Sequence, residues 1–159
     1  MPILFADKRK GFVAALHCGR KGLGKGIIKN LIQILKKKRS AMEDILVAIG
    51  PSISWRNYSI DIATLKEFHE DADIQGLLPN SKIAQNKKKF NTLNTYHKQD
   101  LIQLDLRKYA HMQLLNENIP NTNIEISNLC TYESTNEFNS WRRTKTASRQ
   151  WNFISPNNF

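Results

Sequence analysis

A chain of 159 residues, 40% apolar and 24% charged, carries enough hydrophobic material for one core and has the make-up of a soluble globular domain. No stretch approaches the roughly 18 uninterrupted apolar residues of a membrane-spanning helix, and Met1 to Asp7 lacks the basic region and small-residue cleavage site of a signal peptide, so a cytoplasmic location is the default expectation. The formal net charge of +10 favours phosphate-bearing partners, yet its densest clusters, Lys36-Lys37-Lys38-Arg39 and Lys87-Lys88-Lys89, lack interleaved aromatic rings for base stacking, and both read as solvated surface.

In chain order, Pro2 to Ala6 and Gly11 to Cys18 are apolar runs separated by the polar turn Asp7-Lys8-Arg9-Lys10, which predicts two buried strands in a hairpin. Leu23 to Lys38 places Ile27, Ile28, Leu31, Ile32 and Leu35 at helical spacing and predicts one amphipathic helix whose basic end suits the dipole. Ser40 with Glu43 has the spacing of a capping box, and Ile45 to Ile49 predicts a third buried strand ended by Gly50-Pro51. Asp61 is placed to cap a helix running to about Glu70, with Ile62, Leu65 and Phe68 inward. Residues 71–99 are polar and lysine- and asparagine-rich, a variable excursion within a single domain spanning 1–159. Asp105 begins a helix to about Asn118 with Leu106, Tyr109, Ala110, Gln113 and Leu114 on neighbouring turns, and Pro120 follows it. Asn123 to Ser127 reads as a strand, Asn136 to Trp141 as a short helix and Gln150 to Ile154 as a final strand. Strands and helices without strict alternation favour an α+β fold with mixed β-sheets flanked by helices.

The stretch richest in chemistry is Phe12 to Leu23, an apolar strand delivering His17 into a turn that holds Gly19 and Gly22, with Gly24 and Gly26 close behind. Exposed N–H groups at the start of the following helix make an anion site possible, and the same glycines serve a tight turn and close helix packing equally well. The pattern is neither a P-loop nor a dinucleotide fingerprint. His17 alone reads as a hydrogen-bonded structural histidine or a ligand. His69, His97 and His111 lack metal-ligand spacing and read as solvent-facing, while Cys18 and Cys130 read as free thiols. The pair Arg142-Arg143 can hold phosphate or carboxylate, or form exposed ion pairs.

These blocks taken together resemble the YfiH-type laccase-domain family, also called multicopper polyphenol oxidase-like proteins and purine nucleoside phosphorylases. The family's His-Ala-Gly-Trp-Arg-Gly resembles His17-Cys18-Gly19-Arg20-Lys21-Gly22, and its Gly-Ile pair stands as Gly26-Ile27. Its IGP-x-I block is Ile49-Gly50-Pro51-Ser52-Ile53, its DL helix start is Asp105-Leu106, and its C-terminal block is Cys130-Thr131-Tyr132 with Phe138, Ser140, Trp141, Arg142 and Arg143. The resemblance implies a YfiH-like fold, and an enzyme that phosphorolyses purine nucleosides such as adenosine and inosine. It also implies adenosine deaminase and methylthioadenosine phosphorylase activities, and a zinc, or alternatively copper, site of two histidines and a cysteine.

By that resemblance His17 is a metal ligand at the catalytic centre, and Gly19, Arg20, Lys21, Gly22, Arg142 and Arg143 are candidates for holding substrate or phosphate. The family's ligand cysteine lies in Asp-Cys-x-Pro, whose last two positions align with Met1-Pro2, and its other histidine lies further upstream. The expectation is therefore an N-terminally truncated member with weak zinc binding and poor catalysis. Arg20-Lys21 stands where the family has Trp-Arg, which keeps positive charge but changes the shape beside His17. The alternative reading is a non-catalytic protein that holds a nucleotide or nucleic acid on its basic surface.

Overall fold

The computed structural model describes residues 1–61, 64, 101–145 and 147–156. The expected hairpin is present. Strand β1, Pro2–Asp7, runs antiparallel to β2, Val13–His17, with Pro2 opposite His17 and Ala6 opposite Val13. Asp7 builds the turn: its Oδ1 accepts the N–H groups of Arg9 at 2.9 Å and Lys10 at 2.8 Å. Gly11 closes it at φ +67°, a left-handed conformation that a side chain would strain.

On its other edge β1 pairs antiparallel with β3, Ile45–Ile49, and β3 pairs parallel with β6, Ile124–Ile126, giving the order β2-β1-β3-β6. A second sheet holds β4, Ser59–Asp61, antiparallel to β5, Leu101–Gln103. The first sheet turns Ile3, Phe5, Ile45, Val47 and Ile49 into the core. They pack with helix α2, Ile27–Lys37, through Ile28, Ile32 and Leu35, and with α3, Leu106–Asn116, through Leu106, Tyr109, Ala110 and Leu114. Alternation sends Leu4, Ala15, Leu46 and Ala48 to the opposite face, where Leu46 is 44% exposed.

Mixed sheets with flanking helices are thus the α+β arrangement expected, with local corrections. The single helix expected over Leu23 to Lys38 is two: α1, Arg20–Gly24, and α2, broken at Gly26, whose φ of +72° interrupts helical geometry. Strand β2 is half-exposed rather than buried, because it lies at the sheet edge. Ser40 forms no capping box; the turn Met42–Asp44 starts from Ala41 without a side-chain cap. The buried Asp44 instead meets Arg9 at 3.0 Å and Lys8 at 3.6 Å.

Asp105 does cap α3, accepting from the N–H groups of Arg107 at 3.1 Å and Lys108 at 3.0 Å, but the helix stops two residues early because Asn118 is left-handed at φ 66°. The short helix expected over Asn136 to Trp141 begins instead at Trp141, as α4, Trp141–Thr144, after a run of turns. Gln150 to Ile154 pairs with no described strand, and Trp151 and Phe153 stand 93% and 87% exposed. Asp61 closes β4 and accepts the Thr64 N–H at 2.6 Å. The helix expected to follow, with Ile62, Leu65, Phe68 and His69, lies outside the described residues, as does the excursion 71–99 with His97.

Gly50 is where the ladder is tightest. A Cβ there would lie 2.6 Å from Pro2 Cγ, whereas one at Gly22 would meet nothing closer than 3.6 Å. Gly50→Ala is expected to lower unfolding free energy by about 1–3 kcal/mol, and Gly22→Ala by less than that. Urea unfolding checks this, and a Pro2→Ala background should relieve part of the Gly50→Ala loss. A Gly50→Ala chain as stable as wild type would show that the contact is not tight.

Candidate functional site

The strands meet at one end of the ladder, where β1 begins and β2, β3 and β6 finish. The Cys18 N–H donates to the Met1 carbonyl at 2.7 Å, the Gly50 N–H to the Pro2 carbonyl at 3.0 Å and the Ser127 N–H to the Ile49 carbonyl at 2.8 Å. Ser52 and Cys130 bridge in parallel just beyond, with the Thr131 N–H on the Ser52 carbonyl at 3.1 Å. A cleft of about 1310 Å³ opens at this end.

His17 ends β2 in this cleft, on the solvent side of the strand, while Cys18 points the other way into the core. A Cβ on Gly19 would sit 3.6 Å from His17 Nε2, so the chain leaves the strand directly beside the ring. The imidazole pKa is lowered, first by burial and then by the positive charges of the N-terminus and Arg149. Burial pushes the Cys18 thiol up to about 12.

Of the residues expected at the site, His17, Gly19, Arg20 and Arg142 line the cleft. Lys21 and Gly22 do not: Lys21 is exposed, and Gly22 packs behind, its Cβ position 3.6 Å from the His17 carbonyl and 3.7 Å from Ile27. Arg142 lies over the Tyr58 ring at 5.3 Å and donates to the Ser59 carbonyl at 2.5 Å, tying α4 to the start of β4. Arg143 turns inward and donates to the carbonyls of Thr131 at 2.9 Å, Tyr132 at 2.7 Å and Phe138 at 2.6 Å. Its fork of donors suits that clamp, which shapes the wall from which Arg142 reaches out.

Sequence reasoning missed Tyr58, Asp61, Trp141, Lys145 and Arg149, all of which line the same cleft. The signal was aromatic and basic residues in alternation, as in Trp141-Arg142 and Arg149-Gln150-Trp151, outside the two lysine runs. The Asp61 carboxyl is held below its usual range by the hydroxyl and N–H of Thr64, with the Arg20 charge adding to this. Behind the wall, Cys130 Sγ accepts the Ser54 N–H at 3.2 Å. Burial pushes that thiol up, but hydrogen bonds from Ser54 and neighbouring backbone prevail and lower it. Both cysteines are free thiols, as expected.

A catalytic zinc site takes three protein ligands with an open position. Among the described residues no group of three or more His, Cys, Asp and Glu side chains could hold a metal ion, so the donors around His17 do not fit the zinc or copper site that the resemblance implies.

Comparison with known proteins agrees with the resemblance. The family described as multi-copper polyphenol oxidoreductase laccase matches residues 1–157. The purine nucleoside phosphorylase of Bacteroides thetaiotaomicron is 29% identical over 90% of this chain and 48% of its own length. The purine nucleoside phosphorylase YlmD of Bacillus subtilis is 30% identical over 97% of this chain and 51% of its own. Among solved structures, YlmD from Geobacillus stearothermophilus superposes with a TM-score of 0.70 at 27% identity, covering 91% of this chain and 48% of that one. Bacillus licheniformis YfiH shares the fold, with a TM-score of 0.73 at 24% identity over 91% of this chain and 49% of that one. The chain spans about half the length of these curated relatives.

The Arg143 clamp makes a direct prediction. Arg143→Ala is expected to destabilise the chain by about 2–4 kcal/mol, because charge-assisted hydrogen bonds are lost from a half-buried wall, and Arg143→Lys to recover little of it. Arg142→Ala should cost under about 1 kcal/mol. Urea midpoints of the three variants decide this, and equal losses at both arginines would contradict the division of labour.

Proposed function

The chain belongs to the multi-copper polyphenol oxidoreductase laccase family, and from that premise we propose that it acts on purine nucleosides, cleaving them by phosphorolysis in the cleft beside His17. The observation that carries this reading is the cleft's lining: Arg20, Arg142, Lys145 and Arg149 stand around it against one described carboxylate, Asp61, with the flat faces of Tyr58 and Trp141 among them. Cations suit phosphate, and the exposed ring of Trp141 suits a purine.

In phosphorolysis a phosphate oxygen forms a bond to the anomeric carbon of the ribose as the bond from that carbon to the base nitrogen breaks. The electron pair leaves with the purine, which takes up a proton, and the products are a sugar phosphate and the free base. Phosphate is itself the nucleophile, so the task of the described residues is to hold it and the sugar in line, where positioning supplies much of the rate. Asp61, ionised at neutral pH, can accept hydrogen bonds from ribose hydroxyls. His17, with its lowered pKa, is a neutral imidazole able to donate or accept one hydrogen bond at the edge of the substrate.

As a metal ligand His17 would need donors beyond the described residues. The deaminase and methylthioadenosine activities implied by the resemblance are further proposals for the same cleft. No described helix is long and apolar enough to cross a membrane.

Chromatographic detection of hypoxanthine released from inosine tests the proposal. Slow release that saturates with phosphate is expected, and zinc measured by elemental analysis should be well below one per chain. Release independent of phosphate, or none from a folded chain, would sink the reading; tight salt-sensitive RNA binding without turnover would favour the nucleic-acid alternative.

A further inference from the structure

The cations that line the cleft are held in different ways. Arg20 and Arg149 have partners of their own, and Arg142 lies over the Tyr58 ring with a hydrogen bond to the Ser59 carbonyl. Lys145 is placed otherwise. Its Nζ lies 5.6 Å from the centre of the Trp141 ring, and among the described residues it pairs with no carboxylate and donates to no oxygen. An indole holds an ammonium by its π face, which adds no negative charge, so the lysine keeps its charge and its donors for an anion.

The backbone at Lys145 is a second, independent observation. Its N–H closes the last turn of α4 on the Trp141 carbonyl at 3.0 Å, and its φ of 54° is left-handed. Many helices end on such a residue, but glycine or asparagine usually takes the place, because a longer side chain is strained there. A helix of four residues aligns too few peptide dipoles to repay that strain with a cation at its end. Packing does not call for lysine either, since the residue is exposed. Strain kept at a residue that lines a cleft points to a use for its side chain. The ammonium is also well supported, because Trp141 lies four residues earlier on the same side of the turn, and Arg143 fixes that turn to the carbonyls of Thr131, Tyr132 and Phe138.

We infer that Lys145 is a further substrate-binding residue, holding the phosphate co-substrate with its ammonium resting on Trp141, and that the left-handed end of α4 gives up stability to keep a cation at this point of the cleft. The inference rests on the proposed phosphorolysis for the identity of its anion. It separates binding from folding: glycine at position 145 would relax the backbone and remove the charge together.

Calorimetric titration of the full chain with inorganic phosphate, and separately with inosine, tests the assignment alongside urea unfolding. Lys145→Gly is expected to weaken phosphate binding by about tenfold, the loss expected for a charge-assisted pair, while its urea midpoint stays at or above that of wild type and inosine binding is unchanged. Lys145→Gln should lose phosphate affinity to a similar extent, Lys145→Arg should keep more of it, and in turnover KM for phosphate should rise more than KM for inosine. A Lys145→Gly chain that binds phosphate like wild type, or a wild-type chain that does not bind it, overturns the inference. So does a loss of affinity that comes with a lowered urea midpoint in both Lys145→Gly and Lys145→Gln, which would assign the lysine to the fold. Phosphate binding that depends on Lys145 in a chain releasing no base would sink phosphorolysis and leave the assignment standing. Phosphate-dependent turnover indifferent to Lys145 would do the reverse.

Discussion

Strand β1 is bonded along both edges, to β2 with Pro2 opposite His17 and to β3 with Ile3 opposite Ile49, and the placing of His17 at the cleft depends on that double register. Slipping either pairing by one residue would exchange the faces of the sheet, putting Leu4 and Leu46 into the core and Ile3 and Phe5 into solvent. The buried set Ile3, Phe5, Val47 and Ile49 therefore holds the register through burial under α2 and α3. The same alternation turns Cys18 inward and leaves His17 facing the cleft. Gly50 is part of this constraint, since only a residue without a side chain lets the chain after β3 pass Pro2 at that distance.

The wall opposite the ladder is made differently. The segment from Cys130 to Thr144 is mostly turns, and backbone alone would hold it loosely. Its order comes from side chains bonded to carbonyls: Arg143 to three of them, Arg142 to Ser59, and Gln150 to Asn139. Using arginine as mortar in this way also concentrates positive charge at the cleft. The net charge of +10 would otherwise be a diffuse surface property, and Lys36 shows the contrast, pairing with Glu117 at 2.9 Å on the outer face of α2. At the cleft the cations converge with aromatic rings around one concave volume, where field lines are focused.

Much of this is legible in the sequence. The two strands around Asp7 to Lys10, the strand Ile45 to Ile49 and the Asp105-capped helix carry local signals that agree with their tertiary roles, so periodicity and capping chemistry sufficed. The break at Gly26 was harder, because Ile27 to Leu35 keeps helical spacing and the glycine reads as a weak helix residue until its left-handed φ is seen. Gln150 to Ile154 has the composition of a strand, but a strand needs a partner edge, and which edge is near is a tertiary fact. At the site, His17, Gly19 and Arg20 are adjacent in sequence and were found together. Asp61 and Arg149 reach the same cleft from distant segments, and spacing along the chain does not bring them together with His17.

Because the chain spans about half the length of the relatives it matches, while reproducing their fold over nine tenths of itself, the ladder and its cleft form a recognisable part of that architecture. The central claim is that ligands enter at the end of this ladder and not along the lysine-rich face of α2. The most direct test is a nitrogen-15 NMR titration of the chain with phosphate and inosine together. Shifts centred on Gly19, Arg20, Thr131 and the Trp141 indole, with the His17 ring responding, are the predicted result. Shifts confined to Lys36 through Arg39, or none anywhere in a folded chain, would contradict it.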